Sequence, residues 1–137
     1  MIDPKIIRDD IDSIRTLLVK RNMTGAVDVD MLKSIDEERR ELSLKSDELR
    51  EKRNKLSKTI GQLKSQGKDA EDAMKEVQNI SDELKAFSDR LEELNLKFTE
   101  LHLSIPNILD ASVPEGKDEK DNIVVREWGK KPEFSFE

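Results

Sequence analysis

The hydrophobic positions of this chain form two long series with helical spacing. The first follows a three-four repeat from Leu32 to Leu63, and the second follows the same repeat from Ala70 to Ile105. A repeat of this kind places apolar side chains on one narrow stripe of each helix, as in a coiled coil. The pattern therefore predicts two long helices of similar length that pack against each other through these apolar stripes.

The two apolar stripes mirror each other along the chain. Apolar residues face one another when their residue numbers add to 133, which gives Leu32–Leu101, Ile35–Phe98, Leu42–Leu91, Leu49–Leu84, Leu56–Val77 and Leu63–Ala70. A constant sum is the register of two antiparallel helices, with the mirror point between Gln66 and Gly67. Two arginines, Arg39 and Arg53, interrupt the first stripe. We expect them to lay their aliphatic stems along the groove and to keep their charged heads in water.

Residues that begin and end helices divide the chain further. The predicted helices cover about residues 4–22, 30–64 and 69–104, with a turn at 65–68. Asp3 before Pro4 is a typical helix start, and either Asp28 or Asp30 can cap the second helix. Gly67 suits the left-handed residue that follows a helix. The predicted fold is all-α: a long antiparallel two-helix coiled-coil hairpin with a short N-terminal helix and an irregular C-terminal tail.

The tail begins where Pro106 ends the third predicted helix. It is rich in proline, glycine and charged residues, which indicates irregular structure, although residues 123–125 have the composition of one short strand. We therefore divide the chain into a helical arm, residues 1–109, and a tail, residues 110–137.

Composition narrows the possible chemistry. Charged residues make up 41% and hydrophobic residues 34% of the 137 residues, which suits a hairpin that buries only a stripe. There is no cysteine, and the single histidine, His102, is expected to be an ordinary surface or boundary residue. No phosphate-binding loop, nucleophile motif or metal-ligand cluster occurs. We predict no catalytic residue, no cofactor and no metal in this chain. The absence of a signal-peptide pattern or a membrane-length apolar run favours a soluble, intracellular protein.

Positive charge is concentrated beside the hairpin turn, although the whole chain has a net charge of -6. Residues 50–68 contain seven basic residues and one acidic residue. A rod with a positive end attracts the phosphates of nucleic acid. Because no aromatic residue lies there to stack on bases, backbone contact with a structured RNA is the favoured mode. The candidate RNA-binding residues are Arg50, Arg53, Lys55, Lys58, Lys64 and Lys68.

The same basic segment has a second interpretation. It can be a solubilising run whose lysines pair with acids across the hairpin, such as Glu71, Asp72 and Glu76. The protein would then be a coiled-coil interaction rod or spacer with no role in RNA binding. Charge alone does not decide between the two interpretations.

The tail provides a more specific signal. Four short pieces carry it: Ile105-Pro106-Asn107, Val113-Pro114 with Gly116, Glu119 to Asn122, and Trp128-Gly129. Together with the opening MIDPKIIRDD and the predicted hairpin, they resemble the N-terminal region of seryl-tRNA synthetases. The resemblance covers essentially the whole chain.

The resemblance implies a role in translation. Enzymes of this family attach serine to tRNA with ATP and magnesium, using a class II catalytic domain. Their N-terminal arm binds serine tRNA between its long variable arm and its TΨC loop. By this resemblance the parent is a cytoplasmic homodimer. Residues 110–137 are then a linker toward an absent catalytic domain, and the isolated arm is a monomer or associates weakly. Whether selenocysteine tRNA is also bound stays open.

Overall fold

A computed structural model describes residues 2–133 and residue 135, and nearly all of its regular structure is α-helical. The helices are α1 (Pro4–Asp9), α2 (Ile11–Lys20), α3 (Val29–Ser65) and α4 (Glu71–Ser104), followed by a single 3₁₀ turn at Glu119–Asp121. No β-strand occurs in the described part of the chain. The all-helical class is therefore confirmed, whereas the short strand predicted at residues 123–125 is wrong.

The two long helices form the predicted antiparallel hairpin. α3 has 37 residues and α4 has 34, so each is roughly 50–55 Å long at 1.5 Å per residue. Three side-chain contacts cross the hairpin at positions close to the predicted register. The atom pairs are Arg39 Nε and Asn95 Oδ1 at 2.7 Å, Arg90 Nε and Glu38 Oε1 at 2.8 Å, and Lys52 Nζ and Glu76 Oε1 at 2.7 Å.

The reversal between α3 and α4 is built around Gly67. Its φ of 67° lies in the left-handed region, which is available to glycine without strain. The N–H of Lys68 donates to the carbonyl of Leu63, so the end of α3 is hydrogen-bonded. α4 begins slightly later than predicted. The carboxylate of Asp69 accepts from the N–H of Glu71 at 2.9 Å, as expected for an acid just before a helix.

The apolar core lies at the base of the hairpin, opposite the turn. Ile7 from α1, Ile14 from α2, Leu32 from α3 and Leu94 from α4 are all fully buried there. Farther along the arm each helix has only one partner, so most stripe residues, such as Leu49, are half-buried, and Ile80 and Ala70 are buried exceptions. The base therefore holds the most tightly packed apolar side chains, and the distal arm depends on a narrower contact.

The single helix predicted over residues 4–22 is two helices, because the chain bends at Asp10. This residue has φ -150° and ψ 64°, which is not helical. Its N–H donates to the carbonyl of Ile6 and closes α1, while its carboxylate accepts from the N–H of Ser13 and begins α2. The bend lets both short helices contact the base of the hairpin.

His102 is buried, and the expectation of a surface or boundary position is wrong. Only 5% of the residue is exposed, and its Nε2 lies 2.8 Å from the carbonyl oxygen of Ile2. Its ring also packs against Phe98, with 5.2 Å between ring centroids. The N-terminal segment covers this side of α4, an arrangement that the pattern within α4 alone does not reveal.

Candidate nucleic-acid interface

The basic segment occupies the distal half of α3 and the turn that follows it. α3 begins with the side chain of Asp28, which accepts from the N–H of Met31 at 2.8 Å, and runs unbroken to Ser65. The helix therefore carries residues 50–65 away from the apolar core and into solvent. Residues 66–68 complete the segment at the end of the arm.

The six predicted RNA-binding residues differ in their surroundings. Arg50 is exposed and pairs with Asp47 at 2.8 Å, and Lys55 pairs with Glu51 at 2.6 Å. Arg53 is half-buried between the helices. The other three are exposed, and no carboxylate in the described part of the chain lies within ion-pair distance of them: Lys58, Lys64 and Lys68.

Ion pairing within α3 perturbs nearby carboxyl groups. The hydrogen bond from Lys55, reinforced by its charge, holds the pKa of Glu51 below its ordinary value. Lys45 lowers the pKa of Glu41 in the same way. At neutral pH these glutamates are therefore ionised and partly offset the positive charge of their lysines. Lys55 is consequently less available to a phosphate than Lys58 or Lys64.

The six residues do not lie on one face of the arm. Arg50 and Lys64 are fourteen positions apart in the sequence, which is four helical turns of a coiled coil, so they share a side. Lys58 points away from α4, and Lys55 lies toward the opposite side from Arg50. The sequence located the charge along the length of the arm but not around its circumference.

One cross-hairpin ion pair supports the alternative interpretation of part of the segment. Lys52 bonds to Glu76 of α4, as the solubilising interpretation expects. Glu71, in contrast, pairs with Lys75 in its own helix. Lys52 is not among the six predicted RNA-binding residues, and none of those six forms an ion pair with an acid of α4.

A second basic cluster, which the sequence analysis missed, lies at the base of the arm. Asp36 is buried, and its carboxylate lies 3.2 Å from Arg8 Nε and 3.4 Å from Arg39 Nη1. The guanidinium of Arg39 also stacks over the ring of Phe98, 4.1 Å from its centroid. Arg40 borders the same groove, whose volume is about 380 Å³. The sequence does contain a sign of this cluster: Asp36 directly follows Ile35 of the apolar stripe, so its carboxylate was placed to need a basic partner.

The described residues present charged and polar side chains along most of the arm. No group of three or more histidine, aspartate or glutamate side chains within them is placed to hold a metal ion. None of the described helices combines the length and apolar character that crossing a membrane requires. What the arm presents is a long polar surface with cations at its distal end.

A family model and two relatives all match this chain to seryl-tRNA synthetases. The family model described as the seryl-tRNA synthetase N-terminal domain matches residues 1–109. A serine–tRNA ligase of Burkholderia ambifaria is 42% identical over 136 residues, covering 99% of this chain and 31% of the relative. A serine–tRNA ligase of Leptospira biflexa is 39% identical over 137 residues, covering 100% of this chain and 33% of the relative.

A solved structure shares the fold. The crystal structure of seryl-tRNA synthetase from Pyrococcus horikoshii complexed with ATP matches with a TM-score of 0.83 and 32% identity, over 94% of this chain and 29% of that one. The chain thus spans about a third of the length of the relatives it matches. Because the family model and these relatives agree over the hairpin and its short helices, this chain belongs to the seryl-tRNA synthetase N-terminal domain family.

Proposed function

We propose that this chain is the tRNA-binding arm of a serine–tRNA ligase. The arm recognises the long variable stem and the elbow of serine tRNA through contacts with the RNA backbone. The observation that carries the proposal is the distal basic segment on a hairpin of this family, where Lys58, Lys64 and Lys68 are exposed and lack an acidic partner.

The chemistry of the tip favours phosphate contacts over base contacts. Residues 50–68 contain no aromatic side chain that could stack on an unpaired base. Lysine presents a compact charge that suits phosphate, and a duplex RNA stem is recognised mainly by shape and backbone. With about four to six phosphate contacts, the logarithm of the binding constant should fall with the logarithm of salt concentration, with a slope of roughly -3 to -4.

In the whole protein, the arm would serve a reaction carried out elsewhere. The proposal assigns attachment of serine to tRNA, with its ATP and magnesium, to the part of the relatives that this chain does not match. The 137 residues themselves then contribute tRNA binding and no catalytic group. A homodimeric, cytoplasmic parent belongs to the same proposal, as does a monomeric or weakly associating isolated arm. Binding of selenocysteine tRNA is a separate question for the same assay.

A triple charge reversal tests the role of the tip. Lys55, Lys58 and Lys64 are changed together to glutamate, and binding of a serine tRNA transcript is measured at several salt concentrations. We expect strong weakening and a shallower salt dependence. The matched control reverses three exposed lysines outside the basic segment, Lys5, Lys20 and Lys97, so that the total charge change is equal. Unchanged binding by the tip variant, with a normal helical spectrum, contradicts the proposal.

The alternative function, a protein-interaction rod or spacer, is favoured by one observation. The ion pair between Lys52 and Glu76 shows that part of the basic segment is used within the hairpin. Filter binding of serine tRNA beside a tRNA with a short variable arm separates the two functions. The tRNA-binding arm should retain serine tRNA preferentially, whereas a rod should retain both RNAs equally and poorly.

A further inference from the structure

The cross-hairpin contacts define two opposite flanks of the arm. The ion pairs Lys52–Glu76 and Glu38–Arg90 lie on one side of the α3–α4 interface. The hydrogen bond from Arg39 to Asn95 lies on the other side, because Asn95 is five residues beyond Arg90 and about 140° farther around α4. In a coiled coil, residues seven apart in the sequence lie on the same side of the helix. These contacts therefore show on which flank each remaining residue of the distal arm lies.

The first flank, beside the ion pairs, is acidic. Over the distal half of the arm it consists of residues 48, 52, 55, 59 and 62 of α3 and residues 72, 76, 79, 83 and 86 of α4. Two of these ten are basic and four are acidic, a net charge of -2. We call this surface the acidic flank. It repels a phosphate backbone, even though Lys52 and Lys55 lie on it.

The opposite flank contains no acidic residue over ten positions that lie between Asp47 at the proximal end and Glu71 at the distal end. It consists of Arg50, Asn54, Ser57, Gly61 and Lys64 of α3 with Met74, Gln78, Ser81, Lys85 and Ser88 of α4. Three of these ten are basic and none is acidic, a net charge of +3. All are exposed except Ser81, which is half-buried. Asp47, one heptad before Asn54, bonds to Arg50, and Glu71, one heptad before Gln78, pairs with Lys75, so an acid stands at each end of this surface. Asp82 lies beside it and bonds to Gln78. We call it the acid-free flank.

We infer that RNA lies along the acid-free flank and that Lys85 of α4, outside the basic segment, is one of its phosphate contacts. This inference rests on the proposed function and adds the side of the arm that faces the RNA. Most non-basic residues of this flank carry a hydroxyl or amide that can hydrogen-bond to phosphate or ribose oxygens. The acidic flank lacks the charge to compete for the same ligand.

Gly61 provides a second reason for this orientation. It lies inside α3, where glycine costs about 1 kcal/mol relative to alanine. A Cβ built on Gly61 would meet nothing within 4 Å, so packing of the hairpin does not require glycine there. Close approach of an external backbone does favour glycine, because it has no side chain to stand in the way.

Toward the base of the arm the same heptad rows contain Asp47 and Glu92, so the flank is acid-free only in the distal half. Beyond these acids, Ser43 and Asn95 lie beside the groove that contains Arg40. Arg8 and Arg39 border that groove with their charge shared by one carboxylate, Asp36. A stem lying on this flank would therefore meet most of its positive charge along the distal half of the arm, at Arg50, Lys64 and Lys85.

The test compares two matched pairs of substitutions in the full chain. Lys64→Gln with Lys85→Gln removes two charges from the acid-free flank. Lys45→Gln with Lys52→Gln removes two charges from the acidic flank and from its continuation one heptad toward the base, and neither lysine is among the six predicted RNA-binding residues. Each pair leaves the same net charge, and glutamine preserves helix propensity. Both variants and the wild type are titrated with a serine tRNA transcript between about 0.05 and 0.2 M salt.

The expected result is a large difference between the pairs. Loss of two phosphate contacts should reduce the salt slope by about two and weaken binding about 25- to 60-fold at 0.1 M salt. The acidic-flank pair should bind within about threefold of the wild type, because only long-range attraction changes. Equal weakening by both pairs, or greater weakening by the acidic-flank pair, overturns the flank inference. Failure of the wild type to bind the RNA at all overturns the proposed function instead.

Discussion

Three leucine-to-alanine substitutions on the hairpin test the packing of the arm quantitatively. Leu94 is 1% exposed and belongs to the core at the base, whereas Leu96, two residues later, is 68% exposed. Leu84 lies in the half-buried distal stripe. The chemical change is identical at all three positions, so any difference in the free energy of unfolding reports the surroundings of each leucine.

The burial of the three leucines predicts the order in which their substitution lowers the free energy of unfolding. Leu94→Ala removes buried methyl and methylene groups and leaves a cavity, which should lower the free energy of unfolding by about 2–5 kcal/mol. At about 3 °C per kcal/mol for a chain of this size, Tm should fall by about 6–15 °C. Leu96→Ala should change stability by less than about 0.5 kcal/mol, and Leu84→Ala should fall between the two. Urea denaturation followed by circular dichroism measures all three. Equal losses for Leu94→Ala and Leu96→Ala would refute the assignment of the packed face.

Three further predictions concern the distal arm. Leu84→Asp should separate the helices there and reduce helical content and Tm, since it places a charge in the apolar stripe; a wild-type spectrum and Tm contradict this. Gly61→Ala should raise stability by about 1 kcal/mol in urea denaturation. Lys55→Gln should return the pKa of Glu51 toward its ordinary value in a carboxyl NMR titration. Because the pKa of Glu51 is lowered in the folded state, this pair stabilises the fold above the unfolded pKa and loses its effect as pH falls through the folded one.

The hairpin could be predicted from the sequence because its information is periodic and local. A three-four repeat specifies both the helix and its buried side, and the mirror symmetry of the two stripes specifies the register. Gly67 and Asp69 mark the reversal by their backbone and capping preferences. No contact between distant parts of the chain had to be known for this part of the fold.

The base of the arm could not be predicted in the same way, because it depends on contacts between separate elements. His102 is buried only because the segment around Ile2 covers it, and Asp36 is tolerated in the interior only because Arg8 and Arg39 reach it. The bend at Asp10 is the exception, since aspartate is a favoured residue at a helix start and its carboxylate accepts the backbone N–H of Ser13.

The side of the arm that faces the RNA could not be predicted from the sequence either. The charge count located the positive segment along the chain, but the side of the arm depends on which acids lie beside each lysine in three dimensions. Lys85 stands outside the basic segment and yet shares a flank with Arg50 and Lys64. Lys55 belongs to the basic segment and is paired with Glu51. Contacts such as the hydrogen bond from Arg39 to Asn95 fix how each helix is rotated about its axis, and this rotation places Lys85 and Lys55 on opposite flanks.

Deleting the variable stem from the RNA tests the central claim most directly. The unaltered chain is titrated at constant salt with a serine tRNA transcript and with the same transcript whose long variable stem has been replaced by a short loop. If the arm recognises that stem by its backbone, the shortened RNA should lose most of its affinity, with a shallower salt dependence because fewer phosphates are contacted. Equal affinity for the two RNAs would contradict this account.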